Sequence, residues 1–204
     1  MRLFMIRHGE TQWNKWHRMQ GQVNIPLNET GEAEAQKLAK ILQHKKFDAV
    51  YTSPLNRSRE TAEIVFGNNV DIILEPLIME IAFGIYEGYS YNNLDIDESH
   101  DLYNYFYDWE NYVPLKGGES IQQVMERAKR FFENMLIQHE DETVIAFSHG
   151  VLINCAISII RNLTFPPQRF RINNCSVTVF NNNSGQLILE QEAIDVIGGE
   201  VLVL

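Results

Sequence analysis

Short apolar runs separated by longer amphipathic stretches constrain this fold most. Residues 3–6, 49–51, 72–74 and 144–147 are apolar and bounded by polar residues, without strand-like alternation. That is the pattern of strands covered on both faces. Helical periodicity fills the gaps. From Gly31 to Lys45 the residues Ala35, Leu38, Ile41 and Leu42 recur at helical spacing, and Glu32 and Glu34 occupy the first turn, where the helix dipole favours acids. Ser120 and Gln123 form a capping box, followed by Ile121, Val124, Ala128, Phe131 and Met135 at alternating three- and four-residue steps. Strands alternating with helices of this length build βαβ units. The expected class is therefore α/β: a three-layer sandwich with a mainly parallel sheet and helices on both faces. Residues 176–180 and 186–190 flank the turn-like 181–185, which predicts a hairpin that makes the sheet mixed.

One stretch breaks the alternation. Residues 89–114 are crowded with Tyr91, Tyr103, Tyr105, Phe106, Tyr107, Trp109 and Tyr112, and with acids such as Asp95, Asp97, Glu98, Asp101, Asp108 and Glu110. They read as a partly helical, lid-like insertion into a single domain spanning 1–204. In doubly wound folds, ligands bind beyond the carboxyl ends of the strands, and an insertion there roofs the site.

Composition narrows the partners. A net charge of −10 disfavours nucleic acid and anionic membrane, both of which need a basic surface. It leaves a phosphate ligand open, because a site needs only a few local cations. Cys155 and Cys175 lie in apolar sequence with neither CxxC spacing nor a dense framework, the pattern of buried thiols in a reducing compartment. The first apolar run is too short for a signal segment and no stretch reaches membrane-spanning length, so a cytoplasmic location is expected. Oligomeric state stays open. The apolar tail Val201-Leu202-Val203-Leu204 must pair in the sheet or cover a partner, such as a second copy of the chain.

Four constellations carry chemistry. Arg7-His8-Gly9 follows the first predicted strand. A neutral imidazole there can attack phosphorus while the guanidinium grips phosphoryl oxygens in bidentate fashion and glycine allows close approach. Alone, such a tripeptide arises by chance in about one per cent of chains this long. Ser148-His149-Gly150 repeats the arrangement after a second apolar strand, so two strand-end histidines can converge. Thr52-Ser53-Pro54-Leu55-Asn56-Arg57 puts an arginine in the first turn of a helix, near amides that favour anions, whereas Arg59 points elsewhere, to solvent. Glu80 stands before the glycine-containing loop 81–88. Phosphoryl transfer leaves an alkoxide that needs a proton, and a carboxyl group can supply it and later deprotonate water. Glu80 is the candidate for that role and Glu87 its rival, unless Glu87 only accepts hydrogen bonds that hold the loop.

In this order and spacing the four pieces resemble the histidine phosphatase superfamily, also called the phosphoglycerate mutase-like family, over nearly the whole chain. The family's RHG motif matches Arg7-His8-Gly9, its polar continuation Glu10-Thr11 and Asn14, its second arginine Arg57, its acid Glu80 and its second histidine His149. Residues 20–27 are similar to the loop after the first strand, with Asn24 where aspartate is more usual. The resemblance implies a phosphoglycerate mutase-like fold and a phosphate pocket lined by Arg7, Arg57, His8 and His149, with Thr11, Asn14, Gln20 and Gly21 at its edge. It implies a phosphohistidine on His8 and Glu80 as proton donor and acceptor. No metal or other cofactor is implied, since two guanidiniums and a protonated His149 can neutralise the phosphoryl charge. The expected substrate is a small-molecule phosphate ester.

The sequence around Glu80 and the short C-terminal segment resemble the phosphatase branch more than the cofactor-dependent phosphoglycerate mutases, which look longer. A non-catalytic phospho-ligand binder remains an alternative that no sequence feature favours. A metallohydrolase using His8, His149, Glu80 and His17 lacks HExxH or similar ligand spacing. The aromatic insertion favours a leaving group with little extra charge and a face that stacks on Tyr or Trp, although the same rings can simply pack the insertion onto the sheet.

Overall fold

Every inner strand is apolar on both sides because both sides are covered. The computed structural model describes residues 1–67, 70–92, 96–165 and 172–203. Among them, β1 (Arg2–Arg7), β2 (Ala49–Thr52), β3 (Ile72–Leu74), β4 (Thr143–Ser148), β5 (Val177–Asn183) and β6 (Gln186–Ile194) form one sheet in the order β3-β2-β4-β1-β5-β6. The pairs β1–β4, β2–β4 and β2–β3 are parallel. β5 and β6 add antiparallel to the β1 edge as the expected hairpin. Its tip is tighter than the sequence indicated: Ser184 and Gly185 both have positive φ, the geometry of a two-residue turn matched to strand twist.

Successive side chains of a strand point to opposite faces, and the two faces bury different helices. Leu3, Met5, Val144, Ala146 and Phe180 pack with α5 (Ile121–Gln138) and α6 (Gly150–Ile160). Phe4, Ile6, Val50, Ile145, Phe147 and Val179 pack with α2 (Glu29–Leu42) and α3 (Asn56–Phe66). Burying a Leu, Ile or Phe in this way stabilises by about 1.5–3 kcal/mol each. α5 starts at the Ser120–Gln123 capping box and buries Ile121, Val124, Ala128, Phe131 and Met135. α2 begins two residues before Gly31, capped by Asn28, so its first-turn acids are Glu29 and Glu32 rather than Glu32 and Glu34.

β3 departs from the expectation of two covered faces. Ile73 and Leu74 are 45% and 52% exposed, because β3 is the sheet's edge strand. Of the insertion, only Tyr103–Tyr107 (α4) is helical among the described residues; Asp95 lies outside them. Leu102, Tyr105, Trp109 and Tyr112 join the core cluster on the α5/α6 side. A short helix near the N-terminus, α1 (Gln12–Lys15), leads into residues 17–19, which bond to 88–91 through Met19 N–H to Tyr89 O and Tyr91 N–H to His17 O. Among the described residues the C-terminal segment forms no strand: Val203 bonds the Gln191 side chain through both backbone groups, and Leu202 packs on the α2/α3 side. Leu204 lies outside the described residues. Both cysteines are buried free thiols, and burial pushes each thiol up.

Candidate active site

Sheet order explains why the two histidines meet. β1 and β4 are parallel neighbours with Arg7 opposite Ser148, so the next residues, His8 and His149, leave adjacent strands side by side. Their ring centroids are 5.2 Å apart. Ser53 follows β2 on the far side of β4 and places its hydroxyl 2.8 Å from His149 Nε2. α3 starts just beyond and puts Arg57 in its first turn, fully buried. No side chain of α3 caps its first turn; Asn24 supplies an acceptor to the Asn56 N–H instead, so amide in place of aspartate keeps that contact.

His8 has a defined ring orientation. Its Nδ1 lies 2.7 Å from the Gly9 carbonyl, which can only accept, so Nδ1 carries the proton. Nε2 then presents its lone pair, to which Arg57 Nε donates at 3.2 Å. Burial, then Arg57 and Arg7, hold His8 well below the ordinary histidine range, and it is a neutral imidazole. The other Arg57 nitrogens donate to Val23 O at 3.0 Å and Gly21 O at 2.7 Å. Burial lowers Arg57 to about 10, which leaves it charged at neutral pH. Arg7 donates to Ile172 O, and its buried Nε has no partner among the described residues.

Glu80 reaches this cluster by a different route from the others. It lies six residues beyond β3, past a 3₁₀ turn at Pro76–Ile78, and not at a strand end. Its carboxylate oxygens accept from Val151 N–H at 3.2 and 3.3 Å, in the first turn of α6. Glu87 instead accepts from Gln22 N–H and Phe83 N–H and so ties two loops together.

A cavity of about 420 Å³ opens over these groups, lined by Arg7, His8, Asn14, Gln20, Gly21, Arg57 and Glu80, and also by Phe83, Tyr91, Tyr105 and Trp109. Two expected wall residues do not line it. His149 is wholly buried with its ring beside that of His8, and Thr11 is wholly buried with its hydroxyl in the capping box of α1 that it forms with Asn14. His149 also differs from expectation in charge: burial first, then Arg57, His8, Arg127 and Arg7, hold it well below the usual range, so it is neutral in the unliganded site. Its Nδ1 has no partner among the described residues. Gly9 serves packing rather than ligand approach, since a Cβ there would meet Gly31 O at 2.6 Å. His17 is exposed, with its ring against Tyr91, and does not line the cavity.

Sequence reasoning missed Arg18, Met19, Val151, Asn154 and Ile172, which also line the cavity. Asn154 carried a readable signal: it is a polar residue one turn after Gly150 in a helix whose other polar side chain is Ser158. The others come together only through tertiary contacts.

Known proteins resemble this chain in sequence and fold. The family model of the histidine phosphatase superfamily (branch 1) matches residues 3–194. A probable phosphoglycerate mutase GpmB from Cronobacter sakazakii is 33% identical over 183 residues, covering 87% of this chain and 83% of that protein. Among solved structures, Bacillus stearothermophilus YhfR superposes with a TM-score of 0.85 at 30% identity, covering 94% of this chain and 96% of that one. A phosphoserine phosphatase from Entamoeba histolytica in complex with 3-phosphoglyceric acid gives 0.81 at 28% identity, covering 93% and 95%.

Proposed function

The chain belongs to the histidine phosphatase superfamily, and from that premise we propose that it hydrolyses a small-molecule phosphomonoester through a phosphohistidine on His8, without metal. The observation that carries the reading is the tautomer of His8. A ring with Nδ1–H fixed on the Gly9 carbonyl and the Nε2 lone pair turned to the Arg57 guanidinium is a nucleophile awaiting an electrophilic phosphorus.

The phosphoryl group binds beside Arg7 Nε and the Arg57 fork, which neutralise its charge. His8 Nε2 attacks in line. The ester bond to the leaving oxygen breaks as the N–P bond forms, and Glu80 gives that oxygen its proton. Glu80 then takes a proton from water, which attacks the phosphohistidine and releases orthophosphate. His149 supports the ring of His8 from beside it, held by Ser53. The wall of Phe83, Tyr91, Tyr105 and Trp109 favours a leaving group that presents an apolar or planar face. A cavity of this size suits a metabolite.

Incubation of the wild type with substrate and rapid quenching should yield an acid-labile phosphoryl group on His8 by mass spectrometry, and His8→Ala should lose both label and turnover. Turnover in His8→Ala at the wild-type rate would refute the mechanism. The mutase names of relatives such as the Cronobacter protein motivate a second reading. An assay with 3-phosphoglycerate separates the two: release of phosphate supports the phosphatase, and efficient isomerisation with little hydrolysis supports the mutase.

A further inference from the structure

Glu80 is the one proposed catalytic group that no strand end or helix turn of its own fixes in place, yet it must meet a leaving oxygen within hydrogen-bonding distance. The backbone on both sides of it is held by a pair of residues outside the cavity. Arg127, in α5, donates through Nη1 to Leu77 O at 2.9 Å and Met79 O at 2.5 Å. Its Nε and Nη2 donate to the two carboxylate oxygens of Glu119 at 3.0 and 3.1 Å. Glu119 Oε2 accepts in turn from Ala82 N–H at 2.9 Å and from Gln22 Nε2 at 3.3 Å, and Gln22 Nε2 donates to the carbonyl of Glu80 at 3.0 Å. Backbone groups of residues 77, 79 and 82 thus end on one bidentate ion pair whose side chains are 12% and 22% exposed, and the carbonyl of Glu80 is tied to the same pair through Gln22.

Loop carbonyls and amides shielded from water need partners, and here the partners converge from one side. Only a planar fork can bond a carboxylate with two nitrogens while its third reaches two carbonyls; an ammonium cannot. We propose that Glu119 and Arg127 are positioning residues for the proton transfer, acting through the backbone to aim Glu80 at the leaving oxygen. The proposal rests on Glu80 being the proton carrier.

The test is leaving-group dependence of kcat/KM, which reports the steps up to departure of the leaving group. p-Nitrophenyl phosphate releases a stable anion with little help, whereas β-glycerophosphate releases an alkoxide that needs the proton. Glu80→Gln should lower kcat/KM on the alkyl ester by about 10²–10⁴-fold and leave the aryl ester nearly unchanged. Arg127→Lys should show the same selectivity, with a loss of about 10²-fold on the alkyl ester from a small misplacement of the acid. Glu119→Gln and Gln22→Ala, which disturb the clamp less, carry the test if Arg127→Lys fails to fold. Equal losses on both esters, or no loss on either, in clamp variants that remain folded would overturn the positioning role. If Glu80→Gln itself shows no selectivity, the assignment of Glu80 falls and the clamp's role falls with it.

Discussion

Mild acid should destabilise this protein through the two histidines at its centre. His8 and His149 are 2% and 0% exposed, and both are held well below the ordinary range, chiefly by burial and then by the surrounding guanidiniums. In the unfolded chain each titrates near about 6.5. Below that pH the unfolded chain binds protons that the folded protein does not, so stability is fully present above it and is lost as pH falls toward the depressed folded values. With both rings neutral in the fold, moving from about pH 7.5 to about pH 5.5 costs about 1.4 kcal/mol per histidine and about 2.7 kcal/mol for the pair. For a chain of this size that is roughly 5–11 °C of Tm. Urea unfolding at the two pH values would measure it in the wild type and in the double variant His8→Gln, His149→Gln. Glu34, raised first by burial, has the opposite sign, since a carboxyl raised in the fold gains stability as pH falls, but it is present in both proteins. The wild type should therefore lose about 2.7 kcal/mol more than the double variant. Equal pH dependence in the two would show that the buried rings take up protons in the fold as readily as in the unfolded chain, and the neutral-nucleophile argument would fail.

Gly9→Ala should destabilise by about 1–3 kcal/mol by overpacking, because its Cβ would meet backbone, the Gly31 carbonyl at 2.6 Å; an unchanged melting temperature would show that the segment after β1 and the start of α2 separate freely. Ser53→Ala leaves His149 Nε2 without its 2.8 Å partner and should cost about 1–3 kcal/mol in denaturant unfolding. Trp109→Leu should raise KM for phenyl phosphate by about 2- to 12-fold while leaving inhibition by inorganic phosphate unchanged. A parallel weakening of both would mean that Trp109 shapes the phosphate pocket rather than a leaving-group wall.

The residues that would do chemistry at the ends of strands were legible in one dimension. An apolar strand ending in His-Gly at residues 8–9 and again at 149–150 reports its own geometry, because a parallel strand delivers the residue after it to the same edge of the sheet. The helices α2 and α5 were equally readable, since periodicity and capping are local. What depended on the third dimension did not show. Nothing local marks β3 as an edge strand, because exposure is a property of neighbours. The charge of His149 followed from burial among guanidiniums that come from β1, α3 and α5. Thr11 matched a motif, yet its hydroxyl is used to start a helix. Glu80 was chosen by type and order, whereas the bonds that hold its backbone come from Arg127, 47 residues away, which reaches the carbonyls of Leu77 and Met79. The sequence determined which groups arrive at this edge of the sheet, since that follows from strand direction. Tertiary packing alone decided their protonation and orientation, because those depend on which atoms exclude water and which accept each hydrogen bond.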